Sequence, residues 1–201
     1  MEGSIPMTSP VLRLGLFGGS FDPVHYGHLL MAQAACEELA LTRLFFIPTA
    51  QSPFKPLEAP APAKERLRLL RLALAGQPVY EIDEQEVQRG GTSFTIDTVR
   101  DYGRRFPQAR LFYLIGADHA RTLPAWREAE ELARLVEFVV VARPGQPATP
   151  LPPPFCGREL AGFPLGVSSS QIRSRVKQGL SIRGLVPDAV GEAIGNSKLY
   201  L

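Results

Sequence analysis

Two of the chain's three histidines stand three residues apart, inside the stretch FGGSFDPVHYGHLLMA (17–32). In the first turn of a helix, residues at that spacing share a face, so His25 and His28 point the same way. Two imidazoles on one face can donate hydrogen bonds to phosphoryl oxygens without carrying a permanent charge. Gly27 between them would leave an open patch where a flat group can lie against the backbone. The same spacing can ligate zinc, which wants a third Cys, Glu or His close by; the remaining histidine, His119, comes late in the chain. Just upstream, Gly18, Gly19, Ser20 and Phe21 form a loop that opens a helix, where free N–H groups meet an anion. The pattern is not the dinucleotide fingerprint G-x-G-x-x-G. LFFIPTAQ (44–51) also lacks the acidic residue that would hold an NAD ribose, and no G-x-x-x-x-G-K-S/T is present.

Other residues with chemistry to offer lie downstream. SSSQIRSRV (168–176) begins with good helix caps, and Ser169, Ser170 and Arg173 would make a compact anion site at a helix start. The plainer alternative is an ordinary capped helix with a solvated arginine. Lys55, in SPFKP (52–56), is by itself a solvated loop lysine. GGTSFTID (90–97) offers a glycine turn and a Thr92–Ser93 cap, and a helix start there could hold a carboxylate through backbone N–H groups. IGAD (115–118) puts Gly116 and Asp118 after a strand; Asp118 either bonds ribose hydroxyls or caps the following helix. Trp126 is expected on an amphipathic helix, where a lone tryptophan is more often core than ligand contact. Arg143 ends a strand and would line the same cleft, whereas His119 is expected to be structural.

These residues need elements to position them. Apolar runs of strand length, VLRLGLF (11–17), LFFIP (44–48), VYEID (79–83), LFYLIG (111–116) and EFVVVAR (137–143), alternate with helix-length segments at about 28–40, 64–75, 94–105 and 126–135. Near-continuous hydrophobicity marks strands buried on both faces. Their alternation with helices predicts an α/β fold, a doubly wound and mostly parallel Rossmann-like sheet with helices on both faces. Ligands in such sheets sit at the carboxyl ends of the strands, where chain order reverses. PGQPATPLPPP (144–154) reads as an extended connector, and a small helical portion closes the chain at about 168–201. Residues 1–10 read as a flexible tail without a secretory signal, leaving 11–201 as one domain. No apolar run is long enough to span a bilayer. The two cysteines suggest a reducing cytoplasm. A net charge of +2 with no basic stripe gives no nucleic-acid surface.

GGSFDPVHYGH resembles the signature of the nucleotidylyltransferase superfamily. RGGTSFTIDTV (89–99), IGAD with the tryptophan at 126, VSSSQIRSRV (167–176) and the closing LVPDAV…LY follow in the order and spacing of bacterial nicotinate mononucleotide adenylyltransferases. The resemblance covers nearly the whole chain from about residue 11. It implies adenylyl transfer from ATP to nicotinate mononucleotide, with pyrophosphate released and Mg²⁺ carried in on the ATP phosphates. It implies catalytic roles for His25, His28, Lys55 and Arg173. ATP would be held by Gly18, Gly19, Ser20, Phe21, His25, Gly27, His28, Gly116, Asp118, Ser169, Ser170, Ile172 and Arg173. The mononucleotide would meet Lys55, Thr92, Ser93, Phe94, Thr95, Trp126 and Arg143, with the nicotinate ring stacked on Trp126. The loop at 50–63 would act as a partly mobile lid. Three positions depart from the family pattern: Phe54 replaces a histidine, Phe94 a tyrosine and Ser170 a threonine. The first removes a polar contact, whereas the last keeps its hydroxyl.

Rival readings remain at this level. A cytidylyl- or adenylyltransferase acting on choline phosphate or phosphopantetheine would share the histidine motif, but GGTSFTID and Trp126 speak against it. A class I aminoacyl-tRNA synthetase would need further domains and a basic RNA-binding surface. A non-catalytic nucleotide sensor would have little use for both histidines and Arg173. Monomer and homo-oligomer are both open.

Overall fold

The computed structural model describes residues 11–54, 59–141, 150–163 and 165–201. Among them six parallel strands form one sheet: β1 (Arg13–Gly19), β2 (Arg43–Pro48), β3 (Tyr80–Ile82), β4 (Arg110–Gly116), β5 (Glu137–Val141) and β6 (Gly157–Leu160), in the order β3-β2-β1-β4-β5-β6. The helices are α1 (Tyr26–Glu38), α2 (Ala63–Leu74), α3 (Gln85–Arg89), α4 (Thr95–Arg105), α5 (Ala117–Ala120), α6 (Ala129–Leu135), α7 (Ser169–Lys177) and α8 (Asp188–Ser197). A 3₁₀ turn at Leu123–Ala125 separates α5 from α6. This is the doubly wound architecture expected from the strand–helix alternation.

Because successive strand residues face opposite sides, the sheet carries two cores. Leu14, Leu16, Phe45, Ile47, Tyr113 and Val140 pack against α4 and α6 on one side. Phe17, Phe46, Phe112, Leu114 and Val139 pack with α1, α2, α7 and α8 on the other. β1 is central, pairing with β2 on one edge and β4 on the other. The chain leaves β1 toward β2 and returns later to β4, so the switch point that opens a ligand crevice lies between their carboxyl ends.

Several local expectations are corrected. α1 begins at Tyr26 instead of 28, because His25 caps it. α6 begins at Ala129, since Glu128 adopts a left-handed conformation at φ 53. Trp126 therefore lies in extended chain just after the 3₁₀ turn and not on an amphipathic helix. β6 has no counterpart in the sequence pattern: GREL has three exposed residues and one buried, an edge strand without an apolar run. The proposed tail at 1–10, the first part of the proline-rich connector, Lys55 and Arg143 lie outside the described residues.

Candidate functional site

The site grows out of the end of β1. At Gly18 a Cβ would run into the Tyr113 hydroxyl of the neighbouring strand, so any side chain there would have to displace that ring. The chain then turns through Phe21, whose φ of 46 is left-handed and whose ring is fully buried among Phe17, Phe46 and His28. That buried ring anchors the loop from beneath, so Phe21 can border a ligand only through its backbone.

His25 caps α1, and the two histidines cap each other. The His28 N–H donates to His25 Nδ1 at 3.3 Å, and the His25 N–H donates to His28 Nδ1 at 3.3 Å. The rings stack with centroids 3.7 Å apart and 23° between planes. Burial lowers the pKa of His25 from 6.5 to about 4. Burial, and then the neighbouring His25, hold that of His28 well below 6.5. Both rings are therefore neutral at neutral pH. A neutral imidazole whose Nδ1 accepts must carry its proton on Nε2. Each histidine thus keeps one fixed N–H for an oxygen in the cleft. Gly27 has a different task from the one expected. A Cβ there would stand 3.0 Å from the His25 ring and 3.1 Å from Val167, so the missing side chain makes room for the protein's own packing.

This neutrality has a measurable cost at low pH. The unfolded chain binds protons near pH 6.5, whereas folded His25 resists until about pH 4. The stability at stake is fully present above 6.5 and is lost as pH falls toward 4, by about 3 kcal/mol from His25 alone. Melting curves should show Tm falling between pH 7 and 5. The slope should flatten when both histidines are replaced by asparagine, and an unchanged slope would mean that the rings are not the cause.

Across the switch point, Gly116, Asp118 and His119 stand at the end of β4. With His25, Gly27, His28 and Ser169 they line a cleft of about 480 Å³. Asp118 lies inside α5, whose N-cap is Gly116 with no side-chain bond, so Asp118 is not the cap. Ser168 caps α7 in a reciprocal pair with Gln171. Ser169 is oriented by its hydroxyl, which donates to the Pro23 carbonyl at 2.9 Å. Ile172 is fully buried, so its side chain belongs to the core.

Ser20, Ser170 and Arg173 border an adjoining cleft of about 730 Å³, with Asp22, Lys177 and Tyr200. Arg173 Nη1 donates to the Asp22 carbonyl at 2.8 Å. Arg66, 1% exposed, supports this loop from behind. Its Nη1 donates to the Ser20 carbonyl at 2.8 Å and its Nε to the Ala61 carbonyl at 2.9 Å. Asp22, Arg66 and Tyr200 were given no role by the sequence. Asp22 lies within GGSFDP, but its partners come from distant segments.

A third, smaller hollow of about 80 Å³ is bordered by Phe54, Phe94, Thr95, Trp126 and Arg127. Trp126 is half-buried, its Nε1 donating to Thr122 Oγ1 at 3.2 Å and its ring edge-on to Tyr113 and Phe138. The Phe54 ring lies 5.5 Å from Trp126 and 5.4 Å from His119. His119, expected to be structural, is instead exposed at the cleft edge. The Thr92–Ser93 pair does not cap α4: the N-cap is Phe94, without a side-chain bond. Ser93 ties this turn to the end of β2, its Oγ accepting from the Ala50 N–H at 3.0 Å and its N–H donating to the Gln51 carbonyl at 2.9 Å. Buried Glu86 braces the turn from below through Thr98, whose hydroxyl donates to it at 2.6 Å. The Thr95 hydroxyl donates to Tyr113 Oη at 3.3 Å.

A family model described as cytidylyltransferase-like matches residues 16–175. A "probable nicotinate-nucleotide adenylyltransferase" from Thermus thermophilus is 44% identical over 189 residues, covering 94% of this chain and 100% of the relative. One of the same name from Opitutus terrae is 39% identical over 191 residues, covering 94% and 98%. Among solved structures, the nicotinic acid mononucleotide adenylyltransferase of Plasmodium falciparum complexed with NaAD superposes with a TM-score of 0.73 at 15% identity, covering 94% of this chain and 97% of its own. At that identity the likeness is one of fold.

Proposed function

The chain belongs to the cytidylyltransferase-like family and, within it, to the nicotinate-nucleotide adenylyltransferases; from that premise we propose how its clefts divide the work. The enzyme transfers the adenylyl group of ATP to nicotinate mononucleotide, a step of NAD biosynthesis. A 5′-phosphate oxygen of the mononucleotide attacks the α-phosphorus of ATP, the bond to the β-phosphate bridging oxygen breaks, and pyrophosphate leaves. A phosphate monoester is already nucleophilic at neutral pH, so no deprotonating base is needed. Catalysis is alignment of two polyanions and stabilisation of charge on the leaving group.

The observation that carries the division of labour is the pair of neutral histidines with Nδ1 locked and Nε2–H available, beside the start of α7. His25 and His28 donate to the triphosphate. The α7 start, with Ser169 and Ser170, and Arg173 meet its outer phosphates. Gly18, Gly19, Ser20, Gly116 and Asp118 border the nucleotide, and Lys55 meets substrate phosphate. Thr92, Ser93, Phe94, Thr95, Trp126 and Arg143 form the mononucleotide side. Mg²⁺ enters with ATP as part of the substrate. Among the described residues no cluster of three or more His, Cys, Asp or Glu would hold an ion by itself. Free Cys36 and Cys156 suit a cytoplasmic enzyme, and among the described residues no helix is long and apolar enough to cross a membrane.

The decisive experiment measures pyrophosphate release from ATP and Mg²⁺ with nicotinate mononucleotide, nicotinamide mononucleotide, choline phosphate or phosphopantetheine. The acid mononucleotide should give the highest kcat/KM; a strong preference for the amide would overturn the substrate while leaving the chemistry intact. Trp126→Ala should raise the mononucleotide's KM by about tenfold or more through loss of ring stacking, and the KM of ATP far less. Equal changes in both would return Trp126 to the core.

A further inference from the structure

Asp22 is a buried crossroads, only 6% exposed. Tyr200, near the far end of the chain, donates its hydroxyl to Asp22 Oδ1 at 2.7 Å. The Ala61 N–H donates to Oδ2 at 3.2 Å. Arg173 Nη1 bonds the Asp22 main-chain carbonyl at 2.8 Å, yet stands 3.9 Å from Oδ2. A buried carboxylate beside a guanidinium ordinarily draws it into a short, two-pronged ion pair. Here that pair does not close: Tyr200 and the Ala61 N–H each hold one carboxylate oxygen, and the short bond of Arg173 goes to the main-chain carbonyl.

We propose that Tyr200 is a positioning residue for adenylyl transfer: by holding the Asp22 carboxylate it keeps Arg173 on the Asp22 main-chain carbonyl and facing the cleft, instead of drawn onto the carboxylate. This rests on the assignment of Arg173 to the ATP phosphates. The backbone around Tyr200 supports it. After α8 the chain passes through Lys198 at φ 53 and then Tyr200 at φ 74. A bulky aromatic residue seldom adopts that region, and such outliers persist only where surrounding contacts over-determine them. Leu199 and Tyr200 pack against the core, which delivers the hydroxyl to Asp22. Burial and the Asp22 contact push the Tyr200 pKa far above its ordinary value, so the hydroxyl keeps its proton and remains a donor. Arg66, buried in α2 behind this loop, adds a second positive charge near Asp22 and further lowers its pull on Arg173.

A double-mutant cycle of the full-length protein separates this role from general structural support. Tyr200→Phe should lower kcat/KM for ATP about tenfold, a mid-range coupling for residues that act through one another, and leave the mononucleotide's KM near wild type. In an Arg173→Ala background the same substitution should cost less than about twofold, since there is no guanidinium left to misplace. An equal loss in both backgrounds, or no loss with Arg173 present, overturns the proposal. If Arg173→Ala alone leaves turnover intact, the assignment of Arg173 fails, and the positioning role with it. Should Tyr200→Phe not fold, Tyr200→Met, which also lacks a donor, takes its place in the cycle under the same criterion.

Discussion

His28→Ala lowers the rate of adenylyl transfer by about 10²–10³-fold, the scale for removing one preorganised donor from a developing charge. The expectation follows from the reciprocal cap. Because His28 Nδ1 accepts from the His25 N–H, its proton is held on Nε2, and the ring cannot turn without breaking that bond. The edges of Phe17 and Phe21 limit it further. Alanine also removes the cap, so a lower melting temperature will accompany the loss. Two further variants separate the effects. Asparagine places an acceptor near the Nδ1 position, keeping the cap while losing the Nε2 donor, and should be folded but nearly as slow as alanine. Glutamine places an amide N–H near the Nε2 position and should recover part of the rate. Initial pyrophosphate release by the three variants checks the order, and a wild-type rate in the alanine variant would remove His28 from the donors to the triphosphate.

Arg173→Ala should cost a comparable factor of about 10²–10³, felt in kcat and in the KM of ATP. Arg173→Lys should rescue only a small part. The guanidinium uses one Nη1–H on the Asp22 carbonyl and has further N–H groups, set in a rigid plane, for phosphate. An ammonium is a point charge on a flexible stem and cannot reproduce both directions at once. Full rescue by lysine would mean that charge alone matters at this position, and the geometric role given to Asp22 would fall with it.

The strand–helix alternation was legible because hydrophobic periodicity is a local property, readable over a handful of residues. β6 was not, since an exposed edge strand has no apolar run to read. The glycine turn after β1 and the shared face of His25 and His28 were legible for the same local reason. Gly27 was misread because the atoms that need its space, the His25 ring and Val167, include one 140 positions away. Trp126 was placed on a helix by periodicity, but the left-handed Glu128 starts that helix later. His119 looked structural because nothing nearby in sequence shows that the chain will bring it to the cleft edge beside Phe54 and Trp126.

By itself, then, the sequence determined the layered α/β architecture, the crevice at the strand ends and the kinds of group that border it. All of these are written in short-range spacing, capping and turn chemistry. Only the tertiary structure decided how those groups are held: which imidazole nitrogen keeps its proton, and which partner occupies the Asp22 carboxylate. The first needs both the reciprocal cap, which makes each Nδ1 an acceptor, and burial, which keeps the rings neutral; burial exists only once the sheet and helices have packed. The second joins residues 178 apart in the chain, a contact that no local pattern can announce because it forms only where the folded segments meet.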